Sequence, residues 1–269
     1  MARRRQRHSV SRLEVRLRVG AKGVLEDRVV IAPRVLAVID GAGSPEPLWV
    51  GEQTGGSWAA DFLASEVSML DPRAADLVGA LLAINARMRV AMKQAGVDPE
   101  DKARVPAASL VVACWSQDGT CRLVQVGDCV AGLQDNEGQF LMPFRMQQEP
   151  WEREALQRLD ALRRRGADGI TLEHERRALS SHQRAHIMNA LDGFGTLAGD
   201  PAVEAHIREF ETDSSRLVLA SDGLDEGSDA IGEQLRRVIL ADRARPLLDG
   251  LGEPASQDDL AVLAVEFLS

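Results

Sequence analysis

The chain has 269 residues, enough to bury a full core in one large domain or two small ones, and its formal net charge of −9 argues against nucleic acid or an anionic membrane as the main partner. Its 3 cysteines, Cys114, Cys121 and Cys129, are odd in number and lie in or beside predicted strands, so they read as small buried thiols rather than a disulfide framework. No apolar segment is long enough to span a bilayer, and the basic start at Arg3, Arg4, Arg5 and Arg7 lacks the apolar run of a secretory signal; a monomeric, cytoplasmic protein is expected.

In chain order, Leu13, Val15, Leu17 and Val19 alternate with Arg12, Glu14, Arg16 and Arg18, which predicts a strand with one wet, charged face. Residues 20–23 then turn the chain into Glu26 and Asp27, and residues 29–31 read as a second strand. Residues 35–39 are five apolar residues in a row, the mark of a strand buried on both faces; the glycines at 41 and 43 stop it, so Asp40 falls at a strand end. Residues 55–70 and 73–95 read as two helices that cover a sheet, with Trp58, Phe62 and Val67 on one face of the first and Leu77, Leu81, Leu82, Ile84 and Met88 on one side of the second.

From residue 109 to 142 an antiparallel meander is predicted, with turns at Asp118-Gly119 and at residues 136–138. Residues 150–165 resume a charged helix, 166–179 show no clear order, and 181–191 read as a helix led by a serine cap. Residues 203–210 alternate weakly, 217–220 form a buried strand, 231–240 are helical and 260–267 close the chain as a strand. This order predicts an α+β fold, a β-sandwich with helices packed outside two sheets, and no linker divides it.

The chemistry lies in the acids at the strand ends. A single carboxylate there would merely begin a turn, but the pattern of Asp40 recurs at Asp222, more loosely at Asp128, and inverted at Asp258 and Asp259, where the acids precede the strand. If those ends converge, the carboxylates need protonation or a cation, and oxygen-only ligands suit Mg²⁺ or Mn²⁺ better than zinc. Other schemes fail on spacing. No cysteine has an arginine six residues on, Gly41-Ala42-Gly43 lacks the third glycine of a dinucleotide fingerprint, and neither a phosphate loop nor a nucleophile elbow occurs. His182 and His186 lack the glutamate of a zinc protease and read as helix surface, and Arg163 to Arg165 as a solvated helix end.

The ordered set Glu26-Asp27, Val38-Ile39-Asp40-Gly41, Val126-Gly127-Asp128, Ala220-Ser221-Asp222-Gly223-Leu224 and Asp258-Asp259-Leu260-Ala261-Val262 resembles the metal-dependent protein phosphatases of type 2C in a bacterial form. The resemblance spans nearly the whole chain. It implies a sandwich flanked by helices on both faces, two Mg²⁺ or Mn²⁺ ions with a third, weaker site, and hydrolysis of phosphoserine or phosphothreonine in a protein substrate, a cognate serine/threonine kinase or one of its targets. By position, Asp40 would bridge both metals, the Gly41 carbonyl would bind one, and Asp222 and Asp258 the other. Asp40, Asp222 and Asp258 would thus carry catalysis. Glu26 and Asp27 would hold waters of the metal shell, Asp128 with Asp222 would form the third site, and Lys22 would hold the phosphate.

The sequence departs from the family around this set. Lys22 replaces an arginine that grips phosphate, Ala42 stands where eukaryotic members carry a histidine, Ala108-Ser109 replaces two threonines, Cys129-Val130 replaces Ser-Arg and Asp259 replaces an asparagine. Residues 145–191, which include the family's variable flap, match poorly. These departures keep two alternatives open: a regulatory or phosphoprotein-binding module that lost turnover, and a metal-dependent hydrolase of small phosphoesters.

Overall fold

The computed structural model describes residues 10–20, 23–73, 76–116, 120–135, 137–224, 228–240 and 259–267. Two five-stranded antiparallel sheets form its centre. The first orders β1 (Val10–Arg18), β12 (Leu260–Phe267), β11 (Arg216–Ala220), β8 (Val130–Gln134) and β9 (Phe140–Leu141); the second orders β10 (Arg208–Thr212), β7 (Cys121–Val126), β6 (Ala107–Trp115), β3 (Val35–Ala42) and β2 (Arg28–Ala32). A short pair, β4 (Trp49–Val50) and β5 (Gln53–Thr54), leads into the first helix.

The apolar runs explain the layers. On β3, Leu36 and Val38 enter the gap between the sheets while Val35, Ala37 and Ile39 face the helices, so both sets are buried and the run is continuous instead of alternating. In the gap, Val111 and Leu123 of one sheet meet Leu133, Leu219 and Leu263 of the other. Outside the second sheet, α1 (Gly55–Ser68) and α2 (Leu77–Gln94) bury Leu63, Val67, Leu81, Ile84 and Met88 in one cluster with β3 and β6. Outside the first, α5 (Ser228–Leu240) buries Ile231, Leu235 and Val238 against Val130, Val218 and Val262. The result is the expected α+β sandwich in four layers, and burying each Leu, Ile or Val side chain contributes ~1.5–3 kcal/mol.

Several expectations need correction. On β1 the open face is the apolar one: Leu13, Val15 and Leu17 are exposed, while Arg12, Glu14, Arg16 and Arg18 are half-buried. Register is the reason, because Leu13, Val15 and Leu17 sit opposite Val265, Leu263 and Ala261 and so point toward the inner gap at a margin that the second sheet does not reach. The second helix starts at Leu77, where the Asp76 side chain caps Gly79, not at 73.

The stretch without clear order is α4 (Gly169–His186), begun by Asp168, whose Oδ1 accepts the Thr171 N–H at 2.7 Å; Ser181 lies in its interior and caps nothing. With α3 (Glu149–Arg164) it forms a helical hairpin joined by an Arg158–Glu175 ion pair. Residues 201–206 are a 3₁₀ turn rather than alternating strand, and β10 follows it. The turn at Asp118-Gly119 falls outside the described residues, although the strands it would join, β6 and β7, pair as predicted. All three cysteines are buried and free, and no helix among the described residues is long and apolar enough to cross a membrane.

Candidate active site

Strand ends bring Asp27, Asp40, Asp128 and Asp222 to one end of the sandwich. Asp40 lies opposite Ser109, and β3 runs on through Gly41 and Ala42, so the strand ends two residues later than the glycines suggested. Asp128 follows β7 through Gly127, whose φ of +80° favours glycine and whose Cβ would collide with the Ser109 side chain. Asp222 opens a 3₁₀ turn directly after β11, and Glu26 and Asp27 immediately precede β2.

These positions meet around one buried thiol. Burial, followed by the charges of Asp40, Asp27, Asp222 and Asp128, pushes the Cys129 thiol well above its usual range. Asp27 is 1 % exposed, and burial raises it to about 7; the Ser221 Oγ, donating at 2.7 Å, opposes the shift, while the charges of Asp222 and Asp259 reinforce it. Ser221 is itself fixed, because its Oγ also accepts the Ala261 N–H at 2.9 Å. Burial and then the charge of Glu152 hold Asp128 well above the carboxylate range, against hydrogen bonds from the Gln148 N–H at 2.7 Å and from Gln147.

Glu26 is anchored from two sides. Its carboxylate accepts the Thr54 hydroxyl, and Thr54 also caps α1 by accepting the Ser57 N–H at 3.2 Å. Its backbone N–H donates to Asp259, whose other oxygen accepts the Gly20 N–H at 2.7 Å. A carboxylate can accept at both oxygens, which an asparagine cannot, so Asp259 closes the loop between β1 and β2. Gly56 allows the start of α1 to approach, since a Cβ there would stand 2.8 Å from the Gly41 carbonyl oxygen.

Asp27, Asp40, Asp128 and Asp222 are therefore brought together, with Glu26 beside them. Lys22 and Asp258 lie outside the described residues. Thr54, Ser221 and Glu152 are participants that sequence patterns did not single out. Ser221 precedes one of the predicted acids, but its partner Asp27 is 194 positions away, and Glu152 sits in the poorly matching flap. His182 and His186 form a tilted ring pair within α4, with centres 4.8 Å apart.

Among the described residues, no three His, Cys, Asp or Glu side chains already close around a point that an ion would occupy. The donor chemistry nevertheless fits a hard divalent cation. The gathered side chains offer carboxylate oxygens, and among the described residues the influences acting on Asp27 and Asp128, after burial, are other carboxylates and hydrogen-bond donors.

No curated protein matches the chain in sequence. Solved structures share its fold. The serine/threonine phosphatase PstP of Mycobacterium tuberculosis is 19% identical over 96% of this chain and 99% of its own, with a TM-score of 0.61. PppA, a regulatory component of T6SS in Pseudomonas aeruginosa, is 18% identical over 97% of this chain and 99% of its own, also at 0.61. The catalytic domain of PstP in complex with 2 manganese ions superposes at 0.62, with 18% identity over 96% of this chain and 98% of that one. The family described as Protein phosphatase 2C matches residues 28–263, and the chain belongs to it.

Proposed function

We propose that this protein phosphatase hydrolyses phosphoserine or phosphothreonine in proteins at a dinuclear Mg²⁺ or Mn²⁺ centre, and that residues 1–269 form one phosphatase domain whose flap spans 145–191. The observation that carries the reading is the convergence of Asp27, Asp40, Asp128 and Asp222 on the buried Cys129 at one end of the sandwich. Asp40 and the Gly41 carbonyl would hold the cation pair together with Asp222 and Asp258, Glu26 and Asp27 would order its water shell, and Asp128 with Asp222 would hold a third, weaker ion. A bound divalent pair lowers the pKa of a water and offsets charge on phosphoryl oxygens.

The chain's own residues do the rest. Ser221 and Asp259 fix Asp27 and Glu26 in place. Lys22, in the loop whose ends Asp259 ties, would meet the phosphate as a point charge. Ala42 supplies no proton, so the leaving alkoxide takes its proton from solvent and turnover falls steeply on poor leaving groups. The substrate is a phosphorylated protein, a cognate serine/threonine kinase or one of its targets.

A Mn²⁺ titration of p-nitrophenyl phosphate and phosphoserine-peptide hydrolysis tests the reading. Metal-dependent turnover of both is expected. Turnover of the small ester alone would point to a small-phosphoester hydrolase, and turnover of neither to a non-catalytic binding module.

A further inference from the structure

The two sheets are out of step by one strand. β12 is the second strand of its sheet, yet it is β12 that packs over β2 and β3, and β2 is the last strand of the opposite sheet. β1 therefore overhangs. Leu13, Val15 and Leu17 face inward beside buried Val265, Leu263 and Ala261 but remain 36%, 42% and 46% exposed. Ile31, which shares the inner face of β2 with Val29, is 54% exposed. Among the described residues, no strand pairs with the outer edge of β2. The missing piece has the dimensions of a single strand: ~4.8 Å to the side of β2 and ~10 Å beneath β1.

We propose that this overhang docks an extended segment of the phosphoprotein substrate with alternating apolar side chains, which adds to the free edge of β2 and buries those side chains against Leu13, Val15, Leu17 and Ile31. The proposal rests on the phosphatase reading above. Position supports it. β2 begins immediately after Asp27, and β1 ends two residues before Gly20, which Asp259 ties to Glu26, so the overhang opens at the carboxylate end of the sandwich. A segment paired with β2 leads its phosphoresidue toward that site. A second copy fits poorly, because joining two chains in register through β2 would place the partner's own β1 where β12 already lies.

The test compares steady-state kinetics in Mn²⁺ on two phosphoserine peptides of equal length, one flanked by alternating valine and serine and the other by glycine and serine, with p-nitrophenyl phosphate as a substrate too small to reach the groove. The alternating flank is expected to lower KM about fivefold or more in wild type, and Val15→Glu and Ile31→Glu, both at exposed positions, to erase that difference. Equal KM values for the two peptides beside normal p-nitrophenyl phosphate turnover would overturn the docking groove alone. Absence of turnover on all three substrates would overturn the phosphatase reading and the proposal with it. A concentration-dependent dimer in sedimentation that Val15→Glu abolishes would give the face to a second copy and overturn the proposal.

Discussion

Asp27 shows at the scale of one residue how a fold creates demand for a cation. Its carboxyl is buried among Asp222, Asp259 and Asp40 and raised from 3.8 to about 7. Between about pH 4 and 7 the unfolded chain has released this proton and the folded chain still holds it. The unfolded state then binds fewer protons, and stability of the metal-free protein falls as pH rises through that window. Asp27→Asn cannot ionise, so its unfolding temperature, followed by circular dichroism in chelator from pH 4 to 8, should fall less than that of wild type. Parallel curves would mean that Asp27 does not carry the effect. Asp27 itself was legible in the sequence, as an acid pair between two strands. Its environment was not, because Ser221 and Asp259 reach it from the far end of the chain through tertiary packing alone.

Among the elements, α4 shows where local pattern fails. Its surface is charged and its only buried side chain is Arg184, so no apolar stripe announces it. Arg184 is the tether between this helix and the body. Its guanidinium donates to the Gly43 carbonyl at 3.2 Å and to the Val105 carbonyl, its Nε has no partner among the described residues, and burial pulls its pKa down to about 10. Removing it leaves two carbonyls without their donor. Arg184→Met is accordingly predicted to destabilise the protein by ~1–3 kcal/mol in denaturant unfolding, and a midpoint equal to wild type would show that the tether is dispensable. Continuous apolar runs such as β3 and β11 were readable because burial on both faces leaves that pattern regardless of neighbours. The alternation of β1 was read correctly as a strand and wrongly as to its wet face, since which side meets solvent depends on how far the opposite sheet extends.

For the whole molecule, the order of acids along the chain was enough to place the fold, because Asp27, Asp40, Asp128 and Asp222 lie at or near strand ends that the sandwich gathers at one side. The same architecture leaves the β1 overhang at its margin and sets the α3–α4 hairpin over the loop that follows Asp40. If the gathered acids exist to hold cations, the residue shared between two of them should matter most. Calorimetric titration of Mn²⁺ into wild type, Asp128→Ala and Asp40→Asn, paired with phosphopeptide turnover, tests this directly. Two strong sites are predicted in wild type and in Asp128→Ala. In Asp40→Asn both should be lost, with turnover down ~10²-fold or more and the fold kept, because the substitution also relieves carboxylate repulsion. Two strong sites and wild-type turnover in Asp40→Asn would contradict the dinuclear centre.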